Sequence, residues 1–245
     1  MTLGVSPHIL SVKDLKVTRA AGDIPFTVSL PHLSLNRNEI VSLTGVSGSG
    51  KSTLLEVLGL ISKPSQLKMF ELCLPLKNKR LVDLTESIID FKEFVLAPIR
   101  ANALGFILQT GGLLPFLSVR DNIQLVRKQK GLTLWADFVN QLVSELKLMA
   151  LLNKFPHELS IGERQRVAFI RSVAHEPALV LADEPTAALD PYTADMLFDL
   201  LKSIAQELNL SVLLVSHDWQ LLKKHQIRGL RARINDSNES EFVHE

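Results

Sequence analysis

Cysteine is almost absent from this chain, since Cys73 is the only one among 245 residues. A lone thiol excludes an internal disulfide framework and fits a reducing compartment. An excess of charge of either sign is absent as well, because 27 lysines and arginines stand against 26 aspartates and glutamates. Domains that mainly bind nucleic acid usually carry a clear basic excess, so this balance argues against nucleic acid as the main partner.

A long uninterrupted apolar helix is missing too. The stretch 101–119 lacks charged residues over about the length that crosses a bilayer. It contains the pair Gly111–Gly112 and Pro115, however, and these residues break a helix. Because lipid-exposed backbone must satisfy its own hydrogen bonds, we interpret this stretch as a strand followed by a loop. If the protein works at a membrane, another chain must supply the membrane part.

The chain does have the composition and periodicity of a globular α/β domain. Hydrophobic residues make up 46% and charged residues 22% of it, which is ordinary for a globular protein. Strands are predicted at 9–12, 26–35, 39–44, 103–108, 178–182 and 211–215. Helices are predicted at 52–60, over most of 118–155, and at 164–174, 192–208 and 218–225. This alternation favours an α/β fold with a largely parallel sheet.

A helical block at about residues 110–165 interrupts the alternation. We therefore predict an inserted helical subdomain that divides the core into a first part, residues 1–109, and a second part, residues 166–234. Residues 66–100 are less regular, with a helix expected late in that segment. The tail at 235–245 is polar and acidic, and it is a candidate for disorder.

A glycine-rich loop between a predicted strand and a predicted helix carries the first motif. It reads Gly-Val-Ser-Gly-Ser-Gly-Lys-Ser-Thr over residues 45–53. The glycines let backbone N–H groups face a phosphate, and the helix directs its positive end to the same place. Lys51 is predicted to reach the β- and γ-phosphates, and Ser52 to offer its hydroxyl to Mg²⁺. The phosphate-binding residues predicted from this motif are Gly45, Ser47, Gly48, Ser49, Gly50, Lys51, Ser52 and Thr53.

Two adjacent acids end a wholly apolar strand. The segment 178–182 is followed directly by Asp183 and Glu184. Ionised carboxylates at the edge of a core need a reason to be there. Asp183 suits Mg²⁺ binding through a water, and Glu184, on the opposite face of the strand, suits orienting or deprotonating an attacking water.

Three further motifs make the chain similar to a known family. They are Leu-Ser-Ile-Gly-Glu-Arg-Gln-Arg at 159–166, Asp-Glu-Pro at 183–185 and Val-Ser-His-Asp at 215–218. With them, residues 8–225 resemble the nucleotide-binding subunits of ABC transporters. The segments Gly-Phe-Ile-Leu-Gln at 105–109 and Leu114-Pro115 look most like the lipoprotein-releasing and macrolide-export branch. The resemblance implies a P-loop NTPase core with a mixed sheet and an inserted helical subdomain.

The resemblance also implies a role for each matching residue. Gln109 stands where the family's glutamine touches Mg²⁺ and the catalytic water, and His217 where a histidine contacts the γ-phosphate. Asp190 matches an aspartate that acts across a dimer. Ser160 and Gly162 match the signature that closes on the γ-phosphate held by a second nucleotide-binding subunit. Two copies would then enclose two ATP molecules, and hydrolysis would drive a transport stroke.

The implied function is an ATP-hydrolysing subunit that powers a membrane transporter or a lipoprotein-release complex through ATP-driven dimerisation. Its implied partners are an integral membrane permease and a second copy of the chain, at the cytoplasmic face of the inner membrane. A soluble ABC protein of DNA repair or translation is the less favoured reading, because such chains usually carry two nucleotide domains or a long coiled coil.

Three departures from the family pattern leave alternatives open. Ile161 replaces the first glycine of the signature, which makes a weakly hydrolysing regulatory subunit the alternative function. Ile161 is tolerable if that position needs only a backbone N–H at a helix start, and this is the interpretation we favour. Arg19 stands where an aromatic residue usually stacks on adenine, and Phe26 is the alternative base contact. The segment 66–100 fits the family poorly, as either a partner contact or a surface insertion.

Overall fold

A single ten-stranded sheet runs through the computed structural model, which describes residues 8–21, 24–74, 81–109, 111–187, 189–235 and 238–244. The first half of the chain forms β1 (His8–Ala21), β2 (Ile24–Asn36), β3 (Ile40–Thr44), α1 (Lys51–Leu58), β4 (Met69–Cys73), β5 (Leu81–Asp83), α2 (Thr85–Ile89), α3 (Glu93–Ala103) and β6 (Leu104–Ile107). The second half forms α4 (Val119–Gln129), α5 (Asp137–Glu145), α6 (Ile161–Ala174), β7 (Leu179–Asp183), α7 (Pro191–Glu207), β8 (Ser211–Val215), α8 (Trp219–Lys224), β9 (Arg228–Ile234) and β10 (Glu239–His244).

The centre of the sheet is parallel and positions the motifs. Strands β6, β7, β8, β3 and β9 lie side by side in that order, and each pair is parallel. The side chains of β3, β7 and β8 are almost wholly buried, as those of apolar strands covered on both faces should be. The carboxyl ends of parallel strands meet at one edge of a sheet, so the loops after β3, β6, β7 and β8 converge there.

The rest of the sheet is largely antiparallel. Strands β1 and β2 form a long hairpin, β4 pairs with β1, and β5 pairs with β4. Strand β10 joins the two regions, because it runs parallel to β2 and antiparallel to β9. The prediction of an α/β fold with a mixed sheet is therefore confirmed.

Two apolar clusters hold these layers together. The first packs the β1–β2 hairpin, α1 and β4 against one face of the parallel strands, and its members Leu54 and Phe70 are completely buried. The second packs α4, α5, α6 and α7 against the other strand faces, with Phe169 and Phe198 fully buried. Helices α4, α5 and α6 all lie between β6 and β7 in the chain, and α6 contacts both α4 and β6. The division at residues 110–165 stays a prediction.

Two segments differ from the sequence-based expectation. Within 66–100, the strands β4 and β5 precede the expected helical part, and two helices rather than one follow. The expectation of disorder in the tail is wrong for residues 239–244, which form β10. Its residues alternate in burial, and the side chains of Ser240 and Phe242 are the buried ones. The short strand is therefore stabilised both by its hydrogen bonds to β9 and by the burial of an aromatic ring. Residues 236–237 and 245 of the predicted tail lie outside the described part.

None of the described helices is both long enough and apolar enough to cross a membrane. The stretch 101–119, read as a strand followed by a loop, contains the end of α3, β6 and the loop before α4. Thr110 within it lies outside the described residues.

Candidate functional site

The glycine-rich loop joins β3 to α1. Gly50 has a φ of +87° and precedes the first residue of α1. A Cβ atom at Gly50 would lie 2.2 Å from Cγ2 of Val28 on β2, so both its backbone conformation and its packing require glycine. The loop is thereby pressed against the hairpin while the start of α1 faces the edge where the parallel strands end.

Lys51, the first residue of α1, is buried where the loop ends. Its Nζ donates hydrogen bonds to the carbonyl oxygens of Gly45 and Val46, each at 2.9 Å. Burial lowers the pKa of Lys51, while the nearby carboxylates of Glu184 and Asp183 oppose that effect. The ammonium group is thus held over the loop by two neutral carbonyl acceptors. A bound phosphate would offer it charged oxygen acceptors instead.

An open cleft of about 440 Å³ gathers most of the predicted site residues. Its lining consists of Ser47, Gly48, Gly50, Lys51, Ser52, Thr53, Gln109, Asp183, Glu184 and His217. These residues come from the loop after β3, the loop after β6, the end of β7 and the loop after β8. Two other predicted residues of the loop, Gly45 and Ser49, lie behind this lining, and Ser49 is completely buried.

Glu184 and His217 contact each other across the cleft. His217 Nε2 lies 2.6 Å from Glu184 Oε1, and the carboxylate is the less exposed partner, at 19% against 45%. Glu184 has a φ of +50°, a left-handed conformation that costs free energy for a residue other than glycine. Its backbone N–H donates to the carbonyl oxygen of Val215 at 3.0 Å, which fixes the turn after β7 to β8. A carboxylate held in this way is positioned to accept a proton from a water in the cleft.

The oxygen groups around the cleft suit Mg²⁺. Ser52 offers a hydroxyl, Asp183 a carboxylate and Gln109 an amide oxygen, and Mg²⁺ prefers oxygen ligands. Among the described residues, no group of three or more histidines, cysteines, aspartates or glutamates could hold a metal. Mg²⁺ in phosphate sites usually takes only one or two carboxylates and completes its shell with phosphate oxygens and waters, so this donor set fits it.

The predicted signature residues lie outside the cleft, at the start of α6. Ser160 caps this helix: its hydroxyl accepts a hydrogen bond from the Glu163 N–H at 3.2 Å. The Glu163 carboxylate accepts one from the Ser160 N–H at 2.7 Å, and hydrogen bonds from the Ser160 backbone and side chain to this carboxylate lower the pKa of Glu163. Ile161 is the first residue of α6, with a negative φ, and its side chain is 58% exposed. The helix therefore begins three residues before its predicted start at Arg164.

Asp190 caps α7 and also lies outside the cleft. Its carboxylate accepts from the Thr193 N–H at 3.0 Å and from the Thr193 hydroxyl at 2.6 Å. These hydrogen bonds hold the pKa of Asp190 below that of a free aspartate. Within one chain, Ser160, Gly162 and Asp190 thus belong to two helix starts rather than to the cleft.

The two candidate base contacts differ in freedom. Arg19 and Phe26 stand opposite each other on β1 and β2. The Arg19 guanidinium donates to Glu56 Oε2 at 2.9 Å and to the Ser62 hydroxyl at 2.6 Å, which ties it to α1 and the turn after it. Phe26 packs against the first apolar cluster. Arg19 and Phe26 both remain predicted contacts of the adenine base.

A second hollow beside the cleft was not predicted. It has a volume of about 380 Å³ and shares Glu184 and His217 with the cleft; its other lining residues are Thr186, Ala187, Leu189, Ser216 and Asp218. All five lie within five residues of Glu184 or within one of His217. The expected proximity of these two motifs is therefore the sequence feature that indicates a second hollow.

The chain is similar to known proteins along most of its length. The profile of the family described as ABC transporter matches residues 29–187. The putative hemin import ATP-binding protein HrtA of Staphylococcus haemolyticus is 35% identical over 217 residues, which cover 87% of this chain and 92% of that protein. The lipoprotein-releasing system ATP-binding protein LolD of Acinetobacter baylyi is 40% identical over 192 residues, which cover 77% of this chain and 79% of that protein.

The fold is similar to that of a solved dimer. The ATP-binding cassette MJ0796, in a post-hydrolysis state bound to ADP and Pi, matches with a TM-score of 0.77 and 28% identity. The match covers 96% of this chain and 97% of that one. MJ0796 is an uncharacterized ABC transporter ATP-binding protein of Methanocaldococcus jannaschii.

Proposed function

This chain belongs to the ABC transporter family as an ATP-binding subunit with ATPase activity, and on that premise we propose which residues bind and hydrolyse ATP, with which partners and where. The observation that carries the proposal is the cleft, where three segments distant in the chain bring Lys51, Asp183, Glu184 and His217 together. A cation, a metal-binding carboxylate and a base at one edge of a parallel sheet are the groups that phosphoryl transfer to water requires.

The loop after β3 binds the phosphates, with backbone N–H groups at the start of α1 and the Lys51 ammonium as donors. The Ser52 hydroxyl, Asp183 and Gln109 would hold Mg²⁺. When bound, Mg²⁺ neutralises charge on the β- and γ-phosphates. Glu184 orients a water and accepts its proton, while His217 donates a hydrogen bond that keeps the carboxylate in place until the γ-phosphate takes over that donor.

Two copies of the chain form the working unit. Ser160, Gly162 and Asp190 lie outside the cleft of their own chain, at helix starts that expose backbone or capping groups. A helix N-terminus attracts an anion, so the start of α6 suits the γ-phosphate held by a second copy. The dimeric state of the MJ0796 cassette supports this arrangement. Each copy would then provide half of two ATP sites.

An integral membrane permease is the further partner, and the subunit works at the cytoplasmic face of the inner membrane. An apolar cleft of about 390 Å³ between α3, α4 and α6 supports such a contact, since its walls include Leu104, Phe106, Leu125 and Val126. Arg171 lines this cleft and donates weakly to the carbonyl oxygen of Gly111, at 3.5 Å. Gly111 lies two residues beyond Gln109, so a group bound in the cleft lies close to the loop that enters the ATP site.

For the transport task, we propose lipoprotein release or export. The identity with LolD and the segment 105–109 support this branch, although HrtA is named for hemin import. The weakly hydrolysing alternative rests on Ile161. Its negative φ and its position as the first residue of α6 favour full activity, because the first N–H groups of a helix have no intrahelical acceptor and the Ser160 hydroxyl takes up only that of Glu163.

Co-purification tests the partner and branch. A tagged chain isolated from detergent-solubilised membranes should retain a permease, and adding ATP should accelerate release of phosphate from this complex. A complex that exports a lipoprotein from its native membrane supports the branch. A chain that hydrolyses ATP but recovers no integral membrane protein would refute the proposed partner while leaving the ATPase assignment intact.

A further inference from the structure

Leu189 connects the two helix starts that lie outside the cleft. A Cβ atom at Gly162, in the first turn of α6, would lie 3.3 Å from Cδ2 of Leu189. That separation is shorter than an optimal carbon–carbon contact, so the Leu189 side chain lies directly over the backbone of the α6 start. Leu189 also packs against the second apolar cluster.

Both helix starts are individually rigid. The reciprocal hydrogen bonds of Ser160 and Glu163 fix the start of α6. Asp190 fixes the start of α7 through Thr193. Leu189 directly precedes Asp190, and its N–H donates to the carbonyl oxygen of Thr186 at 3.0 Å. The contact between Leu189 and Gly162 adds a restraint on the position of one helix start relative to the other.

We propose that Leu189 is a positioning residue that makes the α6 start and Asp190 one rigid unit presented to the second copy of the chain. The proposal rests on the proposed function, in which Ser160, Gly162 and Asp190 act on the ATP held by the other copy. Leucine reaches Gly162 across the gap between the two helix starts, whereas alanine is too short to do so. Catalysis is sensitive to such placement, because a shift of about 1 Å in positioning groups can cost about a hundredfold in rate.

The proposal makes a directional prediction. Truncating Leu189 should impair the ATP site to which its own chain contributes the α6 start. It should spare the site to which that chain contributes the phosphate loop. A purely structural role for Leu189 would damage both sites together.

Mixed pairs of full-length chains with different affinity tags separate these cases. The first chain carries Ser160→Arg, which blocks its α6 start, and the second carries Lys51→Ala, which disables its phosphate loop. One composite site remains, made of the first chain's loop and the second chain's α6 start. Adding Leu189→Ala to the second chain should lower kcat about tenfold with little change in KM, because the loop that binds ATP is untouched. Adding it to the first chain should lower kcat by at most about twofold.

Two controls guard against a folding defect. Leu189→Met in the second chain keeps the volume and should restore kcat to within about threefold. Leu200→Ala, a partly buried leucine of α7 packed on the same apolar cluster, should leave kcat unchanged. Equal losses from Leu189→Ala in either chain, or no loss from the second chain, would overturn the proposal. A wild-type pair without ATPase activity in the presence of the co-purified permease would instead refute the proposed function.

Discussion

Replacing Glu184 by glutamine isolates the proton-accepting role of its carboxylate. Glutamine keeps the length and one side-chain oxygen, so it can still accept the hydrogen bond from His217 Nε2, which lies 2.6 Å from the present Oε1. The backbone N–H of residue 184 still donates to the carbonyl oxygen of Val215. The substitution therefore preserves the geometry of the turn after β7 and removes the basic group.

The expected loss follows from that single change. General-base catalysis by a positioned side chain contributes about 10²–10⁴-fold to a rate. At about 1.36 kcal/mol for each tenfold, the barrier to hydrolysis should rise by about 2.7–5.4 kcal/mol. ATP binding should change little, because Lys51 and the loop supply the phosphate contacts. The variant should consequently accumulate as an ATP-bound dimer, since the step that separates the copies is blocked.

Phosphate release and size-exclusion chromatography measure the two effects separately. Glu207→Gln is the matched control, since Glu207 lies at the end of α7 and accepts a hydrogen bond from the Ser203 hydroxyl that glutamine can also accept. This control should hydrolyse ATP at the wild-type rate. Turnover of Glu184→Gln within about threefold of the wild type would refute the base assignment, even if the dimer formed.

Three other changes test the site and the fold. Lys51→Ala should abolish the stabilisation by Mg-ATP, about 2.7 kcal/mol at a hundredfold excess over Kd; an unchanged melting shift would contradict the phosphate site. Ile161→Gly should alter turnover of the complex by less than about threefold, and a tenfold gain would favour the weakly hydrolysing alternative. Burial lowers the pKa of His175 to about 4, so the native state binds fewer protons than the unfolded one between that value and about 6.5. Urea titrations should therefore show wild-type stability falling by about 2 kcal/mol more than that of His175→Gln from pH 7.5 to 5.

The parallel half of the fold was predictable because its signals are local. Short apolar runs such as 178–182 and 211–215 are typical of buried strands, and the glycine-rich loop marks the strand before it and the helix after it. The start of α6 was misplaced by three residues. Ser160 and Glu163 form a capping box, whose Ser-x-x-Glu spacing in the sequence indicates a helix that begins after Ser160.

The antiparallel half was less predictable because its strands depend on distant partners. Strand β10 reads Glu-Ser-Glu-Phe-Val-His, which is polar enough to resemble a tail. It becomes a strand because it pairs with β9 and β2 and because Phe242 is buried in the first apolar cluster. Strand β5 is only three residues long and depends on pairing with β4. The intrinsic strand propensity of a segment does not include the stabilisation from pairing and burial, since these arise only when the sheet is assembled.

The candidate site also has a part that is predictable from the sequence and a part that is less so. The two parts differ in whether their residues act within one chain or on a second chain. Residues that act within one chain converge because they follow parallel strands, and strand order alone brings Gln109, Asp183 and His217 to the loop that holds Lys51. Residues proposed to act on a second chain have no such convergence to reveal them. Polar caps fix each of the two helix starts, but the placement of one start relative to the other involves an apolar contact, that of Leu189 over Gly162. A leucine beside an aspartate gives no sign in the sequence of more than core packing. The proposed positioning role of Leu189 depends on a contact between two helix starts that are distant in the chain, and only the fold brings these together.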